Sequence, residues 1–104
     1  MRIIAHQDGT RLRLSLSGEI DHHTAGELMR AIEEKLELTA PRDCFLDLEK
    51  VSFMDSSGIA VMLKTYRLLN GSGGRLWIEN VPQQPMRVLD ASGIERLIKI
   101  SALN

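Results

Sequence analysis

The hydrophobic pattern of this chain changes repeatedly between a period of two residues and the period of an α-helix. Leu12, Leu14 and Leu16 alternate with polar residues, which predicts a strand with one buried face. Later segments with apolar residues at helical spacing alternate with short apolar runs. This alternation predicts an α/β fold with the element order β-β-α-β-α-β-α-β and a mostly parallel, mixed sheet.

The predicted strands are short and separated by turn residues. Asp8-Gly9 between the first two predicts an N-terminal antiparallel hairpin whose tight turn has positive φ at both central residues. Segment 43–48 is mostly apolar, which predicts an inner strand covered on both faces. Trp77 and Tyr66 are expected in the core. The five predicted strands are 2–6, 11–17, 43–48, 75–79 and 98–100.

Three helices are predicted between the later strands. Thr24 and Glu27 fit a capping box at the start of the first, with Asp21 as an alternative cap one turn earlier, and Ala40-Pro41 ends it. The second begins after Asp55 and stops at the glycine-rich segment 70–74. The third lies between Pro82 and Gly93. The apolar face of the first helix consists of Ala25, Leu28, Met29, Ile32 and Leu36.

Length and composition exclude several classes of protein. The 104 residues suffice for one domain, 1–104, and 43% hydrophobic with 26% charged residues is typical of a globular chain. A net charge of −1 offers no basic surface for nucleic acid. The longest apolar run, 59–63, is too short to cross a membrane, and the polar N-terminus does not resemble a signal peptide. We therefore expect a cytoplasmic protein.

A single cysteine, Cys44, allows no internal disulfide and argues against a zinc cluster, so no metal site is expected. Its position within an apolar strand predicts a buried, unreactive thiol.

The junction between the third strand and the second helix is the most informative segment. Open α/β folds bind ligands at such turns, at the carboxyl edge of the parallel strands. With Asp55 as N-cap, Ser56 and Ser57 occupy the first helical turn, where unpaired N–H groups and the helix dipole favour a phosphate. The same residues are also typical of a purely structural cap. Residues 59–63 are apolar around the whole helix, so they either pack beneath another element or form a surface for a partner.

Residues 45–48 followed by 51–59, Val-Ser-Phe-Met-Asp-Ser-Ser-Gly-Ile, resemble the signature of the STAS-domain anti-sigma-factor antagonists. Segments 18–25 and 86–94, together with Gly73-Gly74, resemble further blocks of that family. The resemblance spans nearly the whole chain. It implies a STAS-like fold. The sequence shows no ATP site, and no cofactor is expected.

The resemblance also implies a partner switch. In this family the unphosphorylated protein binds an anti-sigma factor, which is also an ATP-dependent serine kinase, and thereby frees a sigma factor. Phosphorylation of the second hydroxyl residue, Ser57 here, releases the complex until a serine phosphatase resets it. Asp21 and Asp55 match acidic residues near that position, where they either orient the hydroxyl for phosphate transfer or repel the phosphate once it is added. The expected partner-binding surface near the phosphorylated residue also includes Ser56, Gly58, Ile59 and Met62.

Two other functions fit parts of the same sequence. An unphosphorylated STAS binding module would dock on a transporter ATPase or a signalling scaffold, with both serines serving only as cap residues. An enzyme would use Ser57 with a histidine, His22 or His23, and Asp21. The nucleophile-elbow pattern G-x-S-x-G is absent, because Met54 stands where its first glycine would be. The sequence therefore favours a protein that is not an enzyme.

Overall fold

The computed structural model describes residues 1–104 and confirms the α/β class. The five strands are β1 (Arg2–Asp8), β2 (Arg11–Ile20), β3 (Asp43–Met54), β4 (Arg75–Val81) and β5 (Lys99–Ala102). The helices are α1 (Ala25–Thr39), α2 (Ser56–Gly71) and α3 (Gln83–Ser92), and a 3₁₀ turn spans Ile94–Arg96.

The strands form one sheet in the order β1-β2-β3-β4-β5, which is also their order in the chain. β1 pairs antiparallel with β2, and all other pairs are parallel, so the predicted mixed sheet with an N-terminal hairpin is confirmed. Each later strand is reached through a helix. The carboxyl ends of β2, β3 and β4 therefore lie together at one edge of the sheet, where α1, α2 and α3 begin.

The core lies between the helices and one face of the sheet. Alternate side chains of the central strands point into it, because successive residues of a strand face opposite sides. The side chains at the positions between these lie on the other face of the sheet, where Arg13, Phe45 and Trp77 are only half-buried. The core side chains that are completely buried include Leu14, Ile20, Leu28, Ile32, Leu46, Leu48, Met54, Met62, Ile78 and Leu89.

This arrangement corrects two predictions. β3 is not covered on both faces: Cys44 and Leu46 are buried, whereas Phe45 and Asp47 between them remain half-buried on the open face of the sheet. Trp77 likewise lies on the open face, stacked on Phe45 with ring centroids 4.9 Å apart, and is not part of the core. Tyr66 does pack against the core, as expected. A hydrophobic run alone does not distinguish one-sided from two-sided burial.

The hairpin turn also differs from its prediction. Asp8 pairs with Arg11, so the two central residues are Gly9 and Thr10. Only Gly9 has a positive φ, of 62°. A two-residue turn with glycine at its first central position needs no second residue with positive φ. Because the turn is Gly9-Thr10, β1 extends through Asp8, two residues beyond its predicted end.

The capping box at the start of α1 does not form. The Thr24 hydroxyl accepts from the Asp21 N–H at 3.0 Å and donates to the Glu19 carbonyl at 2.9 Å, so it makes no cap bond to the helix. The Asp21 carboxylate instead caps the turn that leads into the helix, where it accepts from the His23 and Thr24 N–H groups at 2.9 and 3.0 Å. The predicted end of the helix is confirmed, with Ala40 in the left-handed conformation after Thr39.

Candidate functional site

Asp55 is the only residue between β3 and α2, and it is the N-cap that the sequence predicted. Its carboxylate accepts from the Ser57 N–H at 2.8 Å, and its carbonyl accepts from the Gly58 N–H at 3.0 Å. These bonds pair two of the amides that would be unsatisfied at a helix start. They fix Ser57 in the first turn of a 16-residue helix. Ser57 is half-buried there, and Ser56 is exposed.

The structure brings Asp21 to the same edge. Ile20 pairs with Met54 across β2 and β3, and the Asp55 N–H donates to the Ile20 carbonyl at 3.0 Å. Asp21 and Asp55 therefore follow the ends of adjacent strands. Parallel pairing accounts for this, because it aligns the carboxyl ends of neighbouring strands.

Asp21 is held in its charged form. Desolvation raises its pKa, but the backbone N–H groups of Thr24 and His23, the Thr24 hydroxyl and the nearby His23 side chain outweigh this and lower the pKa below its ordinary value. A negative charge is therefore built into the site beside the start of α2.

The remaining predicted site residues divide between the surface and the core. Ile59 is half-buried, whereas Met62 is completely buried and packs within the core instead of presenting a surface to a partner. Gly58 is also buried, and a Cβ atom there would lie 2.5 Å from the Met54 side chain and 3.3 Å from Ile20. Gly58 therefore allows α2 to approach the ends of β2 and β3 closely. Most of the apolar segment 59–63 packs inward.

A shallow groove of about 440 Å³ separates the start of α2 from α3. Phe53, two residues before the cap, is 40% exposed, and its side chain lies on the opposite side of β3 from the buried Met54. Ser56 is exposed, and Ser57 and Ile59 are half-buried, at the start of α2. The groove is lined by Ser56, Ile59, Arg87, Val88, Ala91 and Ser92.

Two residues near the site were missed by the sequence analysis. The Gln84 side chain accepts from the Met54 N–H and donates to the Met54 carbonyl, both at 2.8 Å. A glutamine in the first turn of a helix carries no signal of this contact, which depends on how α3 packs. Phe53 lay within the recognised motif, but its exposure follows from the strand geometry at the end of β3.

The histidines are not organised around Ser57. The rings of His22 and His23 meet edge to face with centroids 5.5 Å apart, and no hydrogen bond joins either ring to Ser57. The structure contains no group of three or more His, Cys, Asp or Glu side chains placed to hold a metal ion. No helix combines the length and apolar character that crossing a bilayer requires.

Known proteins resemble this chain over most of its length. The family profile of the STAS domain matches residues 2–102. The anti-sigma F factor antagonist of Paenibacillus polymyxa is 36% identical over 89 residues, covering 86% of this chain and 76% of the relative. The anti-sigma-B factor antagonist of Bacillus subtilis (strain 168) is 32% identical over 96 residues, with coverages of 92% and 86%.

Two solved structures share the fold. The anti-sigma factor antagonist SpoIIAA in its unphosphorylated form matches with a TM-score of 0.80 and 25% identity, covering 95% of this chain and 87% of that chain. The Bacillus cell fate determinant SpoIIAA in its phosphorylated form matches with a TM-score of 0.71 and 28% identity, with coverages of 95% and 90%.

Proposed function

This chain belongs to the STAS-domain family, and we propose that it is an anti-sigma-factor antagonist whose binding is switched by phosphorylation of Ser57. The names of its relatives support the antagonist function. The observation that carries the proposal is the position of Ser57, half-buried in the first turn of α2 with its amide on Asp55, between the exposed Ser56 and the half-buried Ile59 of the same turns. A solved relative described as phosphorylated supports the modification itself.

In the free protein, a phosphate on Ser57 is tolerated. It adds a charge of about −1.5 to −2 at a helix N-terminus, where the dipole offsets roughly 0.3–1 kcal/mol of the cost. Ser57 is only partly buried, so water solvates the remaining charge. Repulsion from Asp21 and Asp55 pushes the phosphate outwards, away from the fold. The folded state therefore loses little stability.

In the complex, the same phosphate is excluded. A partner fitted against Ser56, Ile59 and the small neutral hydroxyl of Ser57 would bury a charge of about −1.5 to −2 without a counterion, at a cost of several kcal/mol. Since about 1.4 kcal/mol already weakens binding tenfold, the complex dissociates without a large change in the fold. The asymmetry between the solvated and the enclosed phosphate is the switch.

The proposed partner is an anti-sigma factor with ATP-dependent serine kinase activity, and a serine phosphatase restores the unmodified form. This chain is the substrate of both and catalyses no reaction itself. We place it in the cytoplasm, where a transcription regulator meets its sigma factor. A net charge of −1 supports a protein partner over a nucleic acid. In this proposal the chain uses no cofactor.

The decisive test is to isolate the kinase partner with the unmodified protein, add ATP, and locate the phosphate by mass spectrometry. Wild type and Ser56→Ala should accept one phosphate and release the partner, whereas Ser57→Ala should remain bound and unmodified. Ser57→Asp should bind at least tenfold more weakly with little change in melting temperature. Phosphate uptake by Ser57→Ala would move the site elsewhere. A wild-type complex that ATP does not dissociate would instead indicate a constitutive binding module.

A further inference from the structure

The last part of β3 has no strand neighbour on one side. β4 pairs with β3 only from Asp43 to Asp47, opposite Arg75 to Glu79. Beyond that point Asn80 adopts a left-handed conformation with φ of 54°, and the next β4 pairing, at Val81, is with β5. β2 continues beside β3 as far as Met54 on the other side. The outward-facing N–H and carbonyl groups of residues 48–54 therefore need other partners.

Gln84 takes the place of the missing strand at Met54. Its side-chain amide offers one acceptor and one donor, as a peptide group of a neighbouring strand would, and both bonds measure 2.8 Å. Gln84 is half-buried in the first turn of α3, and the Met54 side chain is completely buried. The contact therefore joins α3 to the final residue of β3 within a partly water-excluded region, where hydrogen bonds are stronger.

We propose that Gln84 is a positioning residue for Ser57. Met54 is followed by Asp55 alone before α2 begins, so the orientation of the Met54 peptide sets the direction in which the chain enters the helix. On the β2 side the Asp55 N–H is held by the Ile20 carbonyl at 3.0 Å. Gln84 holds the opposite side. The junction that carries Ser57 is thus fixed by bonds on both flanks.

This role rests on the proposed function, because Gln84 is expected to affect the rate of phosphate transfer to Ser57. A displacement of about 1 Å in a reacting group can slow a reaction about 100-fold. Loss of Gln84 removes no side chain from the surface formed by Ser56 and Ile59, so affinity for the kinase should change much less than the rate of phosphate transfer. The expected signature is a lower kcat for Ser57 phosphorylation with a nearly unchanged KM.

The test compares Gln84→Met with Gln83→Met. Methionine matches glutamine in length but forms neither bond to Met54, and Gln83 is an exposed neighbour on the same helix that makes no such contact. We expect kcat to fall by roughly 10- to 100-fold in Gln84→Met and to remain at the wild-type level in Gln83→Met. On the free protein, NMR should show faster amide exchange at Met54 and a shifted Ser57 amide in Gln84→Met only.

Two further measurements separate positioning from stability. If Gln84→Met fails to fold, Gln84→Asn serves as the second variant. Asparagine keeps the amide group, but its side chain is one methylene shorter and cannot form both bonds to Met54. It should therefore also lower kcat, by less than Gln84→Met would. Equal kcat values in Gln83→Met and Gln84→Met would overturn the inference. So would a wild-type kcat in Gln84→Met when phosphorylation is measured well below the melting temperature of that variant. If wild type accepts no phosphate at Ser57, the proposed function fails. Unchanged Met54 and Ser57 amides in Gln84→Met would then overturn the positioning role independently.

Discussion

At the residue scale, Asp55 performs two separable tasks beside Ser57. Its carboxylate accepts from the Ser57 N–H at 2.8 Å and caps α2, and its charge lies where a phosphate would be added. An amide oxygen can also cap a helix, since asparagine and aspartate are about equally good N-caps. Asparagine at this position would therefore remove the charge while keeping the cap.

Asp55→Ala should lower the free energy of unfolding by about 1 kcal/mol, because the first turn of α2 loses its cap. For a domain of this size this corresponds to a fall in melting temperature of roughly 4–8 °C. Asp55→Asn should retain most of the stability. Thermal unfolding followed by circular dichroism measures both variants. Equal losses in the two would mean that the charge, and not the hydrogen bond, stabilises the helix.

Cys44 introduces a pH dependence at the alkaline end. Burial raises the pKa of its thiol from 9.0 to about 12, because desolvation disfavours the thiolate. The unfolded chain therefore loses this proton first as the pH rises. Stability from this group is complete below pH 9 and decreases between pH 9 and pH 12.

The expected slope from Cys44 approaches about 1.4 kcal/mol per pH unit within that window. Urea unfolding of wild type and Cys44→Ala at several pH values between 8 and about 10.5 measures it. Cys44→Ala is less stable at pH 8 because of the cavity it leaves, and the difference between the two proteins should shrink as the pH rises. Parallel pH profiles would mean that the native thiol ionises as easily as the unfolded one.

Residue identities predicted part of the site and could not predict the rest. Asp55 as N-cap followed from the side-chain type and its place before an apolar helix. The expectation that Asp21 lies near the site came from the family resemblance, and the parallel pairing of β2 with β3 accounts for it. Gln84 is 30 residues from Met54, and its contact depends on the position of α3, which no local pattern encodes. Met62 illustrates the opposite problem, because a residue near the site in sequence is completely buried beneath it.

At the scale of elements, β3 has a burial pattern that sequence reading did not detect. It extends to Met54, whereas the sequence predicted an end at residue 48. Its buried residues change from every second position to Leu48, Val51 and Met54, every third position. A period of three matches neither a regular strand nor a helix, so segment 49–54 was interpreted as a connection.

The pairing of β2 with β3 explains this pattern. From Ser15 to Ser17, β2 advances two residues while β3 advances three, from Asp47 to Lys50. From Gly18 to Glu19, β2 advances one residue while β3 advances two, from Val51 to Phe53. Each shift inserts one extra residue into β3 and reverses which side of the strand faces the core. Gly18, with φ of 108°, lies at the second shift.

Gly58 and Gly26 give opposite predictions at the starts of two helices. Gly58→Ala should lower the free energy of unfolding by about 1–3 kcal/mol, because the new methyl group overlaps the buried Met54 side chain. At Gly26 in α1 the nearest atom outside the helix backbone lies at an ordinary 3.7 Å. Gly26→Ala should therefore raise stability by roughly 0.5–1 kcal/mol. Chemical denaturation measures both. A stabilised Gly58→Ala would show that α2 does not approach the sheet as closely as described.

For the molecule as a whole, the open face of the sheet is covered by its own side chains. Arg13 bridges to Glu79 at 2.6 Å and lies 5.4 Å from the Phe45 ring centroid, and Arg75 lies 5.4 Å from that of Trp77. Long arginine side chains thus cover the aromatic stack while their charges remain in water. This explains how the sheet remains stable with helices on one side only.

Trp77→Ala should lower the free energy of unfolding by about 2 kcal/mol, because it removes the stack on Phe45 and its apolar burial. Arg13→Ala should cost about 1 kcal/mol or less, because its ion pairs are partly exposed. Only the arginine effect should decrease in high salt, where surface charges are screened. Urea unfolding at low and high salt distinguishes the two. Salt-sensitive loss in Trp77→Ala would mean that the ring acts mainly by placing the arginines.

Both ends of the chain lie at the pole of the sheet that carries Ser57. Arg2 pairs with Ser17 late in β2, and the Leu103 N–H donates to the Val81 carbonyl at 2.9 Å. An affinity tag or fluorescent reporter fused to either terminus would therefore stand beside the surface that the proposed kinase would have to reach. The exposed glycine-rich turn after α2, around Gly71 and Gly73, lies at the far pole. A reporter inserted there would leave Ser57 unobstructed.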